Sequence, residues 1–409
     1  MNKFKNVHLG KCRSTKDFDE KIRYTDAIES IGAAKVPPMN NANEKEQSIM
    51  KLHKFILIGA GGFGEFWEEL FIPKMKDFAI PVAAVDISEE ALQLPVKYGT
   101  VPAEKCYTDP RKAIEENPCD FLVLVIPPQV RMQYIDLAIE YGLDVVCEKP
   151  LADTMEHACE IYVKMKNAGR KLSVTVSHRM EQSKQSLNRL LDSGKYGKLN
   201  YIVGRLTMTR KYDQTRRWFD KPEDEVTRHS ISGGLIHELD TFRGLARSNA
   251  KKVYAKVWKF DPADGSLGSS AFAQVEMENG VRCVLEHSGA NATELNGWAH
   301  EFYRAECAYG TLVIDKEKLT ACCDLGYPYP RYAEIPLAEQ EVWDHPMIVR
   351  DFCRWLDGGD EPETCIRDNM YCCALTFAAV ESALNGVEMD VPEYLAKYQQ
   401  LYGFDLKDD

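Results

Sequence analysis

The feature that most constrains this 409-residue chain is a glycine-punctuated turn, Gly59-Ala60-Gly61-Gly62-Phe63-Gly64, directly behind the apolar run Phe55-Ile56-Leu57-Ile58. Glycine at this spacing serves three purposes: a tight turn at Gly59, close approach of a pyrophosphate at Gly61, and close packing of helix on strand at Gly64. A helix expected over 65–76, stopped near Pro73, would aim its free N–H groups at the phosphates, with Gly62 and Phe63 lining the same turn. The string alone is weak evidence, and its context strengthens it. A second strand, read at 81–86, ends in Asp86, whose carboxylate suits a ribose diol and would repel a 2′-phosphate. No arginine follows at Ile87-Ser88, so NAD is expected in preference to NADP.

The rhythm around this turn is that of an α/β chain. Apolar runs at 121–126, 144–147 and 172–176 alternate with helical stretches at 131–141 and 155–168. Strands that are apolar throughout belong to a parallel sheet covered on both faces, so 54–178 reads as a doubly wound Rossmann domain. After 178 the pattern changes. A helix at 183–191 precedes alternating runs at 201–208, 252–259, 271–277, 281–287, 302–306 and 311–315, and Asn279-Gly280 marks a hairpin. Helices follow at 346–356 and 368–384. Residues 179–409 are therefore expected to form a second α/β domain with a large, mostly antiparallel, open-faced sheet. Residues 1–53 are charged and weakly periodic, an arm or leader that either stays partly disordered or wraps a neighbouring subunit.

Composition excludes several classes of function. The net charge of −12 disfavours a phosphate backbone, so nucleic acid is not an expected partner. No apolar stretch is long enough for a membrane span, and the basic N-terminus lacks the apolar segment of a secretory signal. The 13 cysteines follow neither a disulfide framework nor metal-ligand spacing, which implies reduced thiols in the cytoplasm and no metal site. An exposed face on the second sheet would suit a homo-oligomer, dimer or tetramer.

Glu148-Lys149-Pro150 closes the strand at 144–147, and ligands of doubly wound sheets lie outside the carboxyl ends of strands. Lys149 there can reach a nicotinamide and a substrate hydroxyl; an ordinary solvated lysine in a turn is the equal alternative. Ile126-Pro127 at the end of the preceding strand would flank the same cofactor, as would Glu148. His178-Arg179, at another strand end, could meet substrate hydroxyls or pin the loop. Arg205, Arg210 and Trp218 could line a substrate site, and Tyr303-Arg304 could project from the open face. Arg216-Arg217 reads as a charged loop.

Together these motifs resemble the Gfo/Idh/MocA oxidoreductases. The resemblance also takes in Arg179 ahead of the helix that ends Leu191-Asp192-Ser193-Gly194-Lys195-Tyr196-Gly197-Lys198-Leu199. Tyr309-Gly310-Thr311-Leu312-Val313-Ile314-Asp315 and the C-terminal helices belong to it as well, and it covers roughly 54–392. It implies NAD(P)-dependent oxidation or reduction of one carbinol of a sugar, inositol or related polyol, with Lys149 at the reacting centre. The family pattern G-G-x-x-x-D-x-G-x-H-x-x-D meets Gly233-Gly234-Leu235-Ile236-His237-Glu238-Leu239-Asp240-Thr241-Phe242-Arg243 in two registers. Matching the histidine makes His237 the proton acceptor, oriented by Asp240 and bound to substrate beside His178, Arg179 and Lys149. Matching the glycines puts Glu238 at the acid and Phe242 at the histidine. Two further functions stay open at this stage: glycoside cleavage through transient oxidation by a tightly held NAD, and non-catalytic sensing of a sugar or dinucleotide.

Overall fold

The computed structural model describes residues 50–208, 222–259, 269–289, 291, 293, 295–323 and 331–407. The expected arm up to 49 and Arg210, Arg216, Arg217 and Trp218 lie outside the described residues.

Six parallel strands form the first sheet: β1 (His53–Ile58), β2 (Ala79–Val85), β3 (Cys106–Tyr107), β4 (Phe121–Leu124), β5 (Asp144–Cys147) and β6 (Leu172–Val174). Their order is β3-β2-β1-β4-β5-β6, so the direction of winding reverses between β1 and β4. That reversal opens a crevice at the carboxyl ends of the strands, where doubly wound sheets hold their ligands. β4 is buried at every position, as its unbroken apolar run implies.

The helix expected over 65–76 is not regular. The chain runs α-helical over Phe63–Phe66, widens to a π-turn over Trp67–Phe71 and tightens to a 3-10 turn over Ile72–Lys74. Pro73 has no N–H for a helical bond, and the chain changes pitch around it. The distortion leaves Glu68 buried. Thr100 donates to its Oε2, while Oε1 has no hydrogen-bond partner among the described residues. Burial pushes this carboxyl up to about 7 against the Thr100 hydrogen bond. A raised carboxyl binds its proton more tightly in the folded state, so its contribution is complete below about pH 4.5 and is lost as pH rises to about 7. Glu68→Gln is therefore expected to raise the melting temperature at pH 8 by a stabilisation on the order of 3 kcal/mol, and to change little at pH 4. Thermal scans at the two pH values read the difference directly.

Among the described residues nine strands form the second sheet: β7 (Leu199–Thr207), β8 (Ala250–Lys259), β9 (Ser269–Met277), β10 (Arg282–Ser288), β11 (Phe302–Cys307), β12 (Gly310–Asp315), β13 (Lys318–Cys323), β14 (Arg331–Ile335) and β15 (Met389–Asp390). The order is β14-β13-β12-β11-β7-β10-β9-β8-β15. Among the described residues only the β7–β10 pair runs parallel. Gly280 takes φ +88° in the β9–β10 turn, as the Asn279-Gly280 signal requires. The covered face packs on the long helix Ile366–Asn385, and Ser382 Oγ accepts from the Ala255 amide at 3.0 Å. The opposite face carries the exposed Trp258 beside Phe272.

Arg205 pairs with Glu286 at 2.9 Å and lies over the Phe302 ring on the second sheet, and Arg304 pairs with Glu306. Both arginines stand on the open face of the second sheet, as expected for Arg304. Tyr303, expected to project, is fully buried.

A cut at residue 178 divides one of the hydrophobic cores. Helix Asp344–Leu356 lies on the first sheet, where Met347, Ile348, Val349 and Phe352 pack with Phe55, Leu57, Phe121 and Val123. The C-terminal half of the chain thus supplies one wall of the first domain.

Candidate active site

The glycine turn has the shape that a dinucleotide requires. Gly59 takes φ +97°, and a Cβ there would stand 2.2 Å from the Val125 carbonyl oxygen. A Cβ on Gly64 would stand 2.2 Å from the Gly59 oxygen, so strand and helix meet only because both side chains are absent. Gly62, at φ +57°, has open space where its Cβ would be. Such space, beside the exposed Phe63, suits a pyrophosphate. Asp86 holds the turn from the next strand: Oδ2 accepts from the Ala60 and Gly61 amides at 2.9 and 3.1 Å, and Oδ1 accepts from Ser88 N at 2.8 Å. The acid expected to meet a ribose therefore also fixes the glycine loop. A carboxylate has lone pairs for both tasks.

Arg131 went unnoticed in the sequence. Its buried guanidinium donates to the carbonyls of Ile126 (2.8 Å), Leu151 (2.9 Å) and Pro150, tying the Ile126-Pro127 loop to the Glu148-Lys149-Pro150 turn. Two loops that flank the cofactor crevice are thereby held in one geometry.

Glu148 was expected among the cofactor contacts. Its carboxylate is instead buried against the protein, accepting from Trp67 Nε1 at 2.9 Å and pairing with His345 Nε2 at 3.1 Å. The other His345 nitrogen lies 2.9 Å from Asp344. Burial alone would lower the His345 imidazole, but Asp344 and Glu148 outweigh it and raise the group to about 9. His345 rides on helix Asp344–Leu356, so the pair latches that helix to the Lys149 turn. A raised histidine adds stability that is complete below about pH 6.5 and lost as pH rises through about 9. His345→Gln is expected to destabilise the protein on the order of 3 kcal/mol at pH 6 and to flatten the fall in melting temperature between pH 7 and 10.

Lys149 extends from the end of β5, and its Nζ donates to the Gly233 carbonyl at 2.9 Å. The ammonium stands 5.7 Å from the centre of the Trp298 ring. Beyond it, His237 and His178 stack face to face, centroids 3.8 Å apart and planes 9° apart, with Trp298 edge-on to both. His178 Nδ1 lies 3.1 Å from Glu301 and 3.7 Å from Glu238. Burial would lower His178, but Glu301 and Glu238 overcome it and raise the group to about 10. His237 goes the other way. Burial first, then the positive His178 and Lys149, hold it well below its ordinary 6.5, so it is neutral. A neutral imidazole beside an ammonium can accept a proton while the ammonium steadies an oxyanion.

The expected partnership of His237 with Asp240 is corrected by the geometry. Asp240 Oδ1 accepts from Arg243 at 2.8 Å, its Oδ2 lies 3.2 Å from Arg179 Nε, and both arginines also grip Asp368. An i,i+3 pair diverges by about 60° around a helix, and here the whole of Ile236–Ala246 is buried, so the two side chains meet different neighbours. Asp240 and Arg179 form a charge network that pins the loop, and His237 Nδ1 has no hydrogen-bond partner among the described residues. Phe242, the histidine position in the glycine register, is core, packed on Gly204 and Tyr303. Both registers nonetheless contribute, since His237 and Glu238 each reach the cluster. Trp298, Glu301 and His345 were missed because each lies far along the chain from any recognisable motif.

Residues 53–176 match the oxidoreductase family with an NAD-binding Rossmann fold, and residues 184–309 match the GFO/IDH/MocA C-terminal domain. The chain belongs to the GFO/IDH/MocA oxidoreductase family. It is 33% identical over 360 residues, 85% of this chain and 98% of the relative, to the uncharacterized protein y4oX of Sinorhizobium fredii. It is 25% identical over 357 residues, 83% of this chain and 90% of the relative, to the D-apiose dehydrogenase of Paraburkholderia graminis. Among solved structures, an Agrobacterium radiobacter oxidoreductase in complex with NAD+, L-tartaric acid and magnesium superposes with a TM-score of 0.70 at 21% identity, covering 83% of this chain and 99% of that one. At that identity the likeness is one of fold. The family assignment agrees with the doubly wound sheet and its strand-end crevice. No helix among the described residues is long and apolar enough to cross a membrane.

Proposed function

We propose that this chain is an NAD-dependent dehydrogenase that transfers hydride between the nicotinamide and one carbinol carbon of a sugar or polyol. The observation that carries the reading is the placement of Lys149: an ammonium at the carboxyl end of β5, held by the Gly233 carbonyl, beside the neutral His237. The D-apiose dehydrogenase among its relatives supports a small polyhydroxylated substrate.

NAD, bound in the crevice, would supply the hydride acceptor. Gly59, Gly61, Gly62 and Gly64 give the pyrophosphate access to backbone N–H groups, and Asp86 favours a ribose without a 2′-phosphate. Lys149 binds the substrate hydroxyl and steadies the oxygen as negative charge develops. His237 takes the hydroxyl proton, and Trp298 offers a flat apolar face to the substrate. His178 supports the His237 ring by stacking on it. The unpaired thiols among the described residues support a reducing cytoplasm, and the aromatic patch of Trp258 and Phe272 supports a homo-oligomer built on the open sheet face.

The test is a panel of aldoses, inositols and glycosides offered with NAD+ or NADP+, followed by the absorbance of reduced nicotinamide. NAD-dependent reduction with at least one polyol, faster than with NADP+, is the expected result. No reduction with any member would overturn the dehydrogenase reading.

A further inference from the structure

We propose that His178, Glu238 and Glu301 form a binding site for a divalent metal ion that accepts mixed nitrogen and oxygen ligands, Mn2+ or Zn2+. One donor atom from each of the three buried residues lies within 4.8 Å of the others. His178 Nδ1 is 3.1 Å from Glu301 Oε1 and 3.7 Å from Glu238 Oε1. Two ligands on one ion at about 2.1 Å stand about 3 to 4 Å apart, and both separations from His178 Nδ1 lie in that range.

Glu238 supplies an independent observation. Its side chain is 0% exposed, and neither oxygen has a hydrogen-bond donor among the described residues. His178 Nδ1 is likewise buried with no hydrogen bond of acceptable geometry. Glu301 is better served: Oε2 accepts from Lys184 at 2.7 Å and Oε1 from the Ala299 amide at 3.1 Å, which orients Oε1 toward His178. A buried carboxylate that accepts no hydrogen bond is costly unless a cation meets it closely. The local charge agrees. The carboxyls of Glu181, Glu238 and Glu301 outnumber the one lysine, Lys184, which bridges Glu181 and Glu301, and the ion would take the place of the proton that His178 holds without it.

The donors stand at 178, 238 and 301, on the turn after β6, the helix Ile236–Ala246 and the entry to β11, so no sequence spacing announces them. Three protein ligands leave coordination positions for water or a substrate oxygen, the pattern of sites that do chemistry rather than staple a fold. The ligand ring of His178 stacks on His237, which puts the ion beside the proposed proton acceptor.

The experiment dialyses the full chain against chelator, then against Mn2+, and measures retained metal by elemental analysis and the Mn2+ EPR signal. Mn2+ is the probe because thiolates take it poorly. One Mn2+ per chain is expected for the wild type and for the surface control Glu286→Gln. Glu238→Gln should weaken binding by more than about 100-fold, beyond the usual effect of losing an outer-shell partner. If Glu238→Gln fails to fold, a Mn2+-dependent rise in the wild type's melting temperature, absent in Glu301→Gln, serves instead. No retained Mn2+ in the wild type, or equal retention in Glu238→Gln, overturns the site and leaves a proton on His178 as the counter-charge. NAD+ is titrated into the same samples. Loss of nucleotide binding counts against the dehydrogenase reading and leaves the metal result standing.

Discussion

Lys149→Met is expected to lower turnover on the order of a thousandfold while NAD+ affinity stays nearly unchanged. Methionine keeps the length and apolar stem of lysine but removes the ammonium. The turn itself is secured elsewhere: Arg131 grips the Pro150 and Leu151 carbonyls, and Glu148 is anchored on Trp67 and His345. What disappears is the donor to Gly233 and the positive charge that steadies a developing alkoxide. The measurement is steady-state kinetics on the best substrate of the panel, with NAD+ binding followed separately by calorimetry. Turnover within a few-fold of wild type would remove Lys149 from the reaction and leave His237 to handle the proton alone.

Gly59→Ala is expected to abolish NAD+ binding and lower the melting temperature by several degrees. The added Cβ would stand 2.2 Å from the Val125 oxygen, and φ +97° is a conformation that alanine resists. That variant alone does not separate a cofactor cradle from a structural turn. Gly62→Ala does. No heavy atom lies within 4 Å of its Cβ position, so the protein should fold, with a backbone penalty of about 1 to 3 kcal/mol for alanine at φ +57°, ψ −115°. Its methyl would nevertheless occupy the space left for the phosphates. A loss of at least roughly tenfold in NAD+ affinity, about 1.4 kcal/mol, is expected with the fold intact. Unchanged affinity would place the pyrophosphate elsewhere.

Much of the fold was legible because its strongest signals are local. The unbroken run at Phe121–Leu124, the glycine turn behind β1 and Asn279-Gly280 each fix a conformation through immediate neighbours. What escaped had no local period. β3 is two residues long, helix Gln93–Tyr98 contains Pro95, and β15 is held by its pairing with β8. The site divides in the same way. Lys149 and the glycines announced themselves through motifs. His237 was legible but its orienting partner was misassigned, because spacing on a helix says which residues share a face and not which neighbours wait there. Asp240 found two arginines, and His237 found His178. Trp298, Glu301 and His345 enter the cluster only through tertiary packing, and nothing at their own positions distinguishes them.

The most direct test of hydride transfer at this crevice is isotopic. Substrate deuterated at its carbinol carbon is incubated with protein and NAD+, and the nicotinamide is examined by mass spectrometry. The expected result is one deuterium atom, transferred as deuteride, carried on the nicotinamide ring, at a rate that falls in parallel with turnover in Lys149→Met. Deuterium released to water with the nicotinamide unlabelled would contradict hydride transfer and make the reaction one of proton abstraction alone.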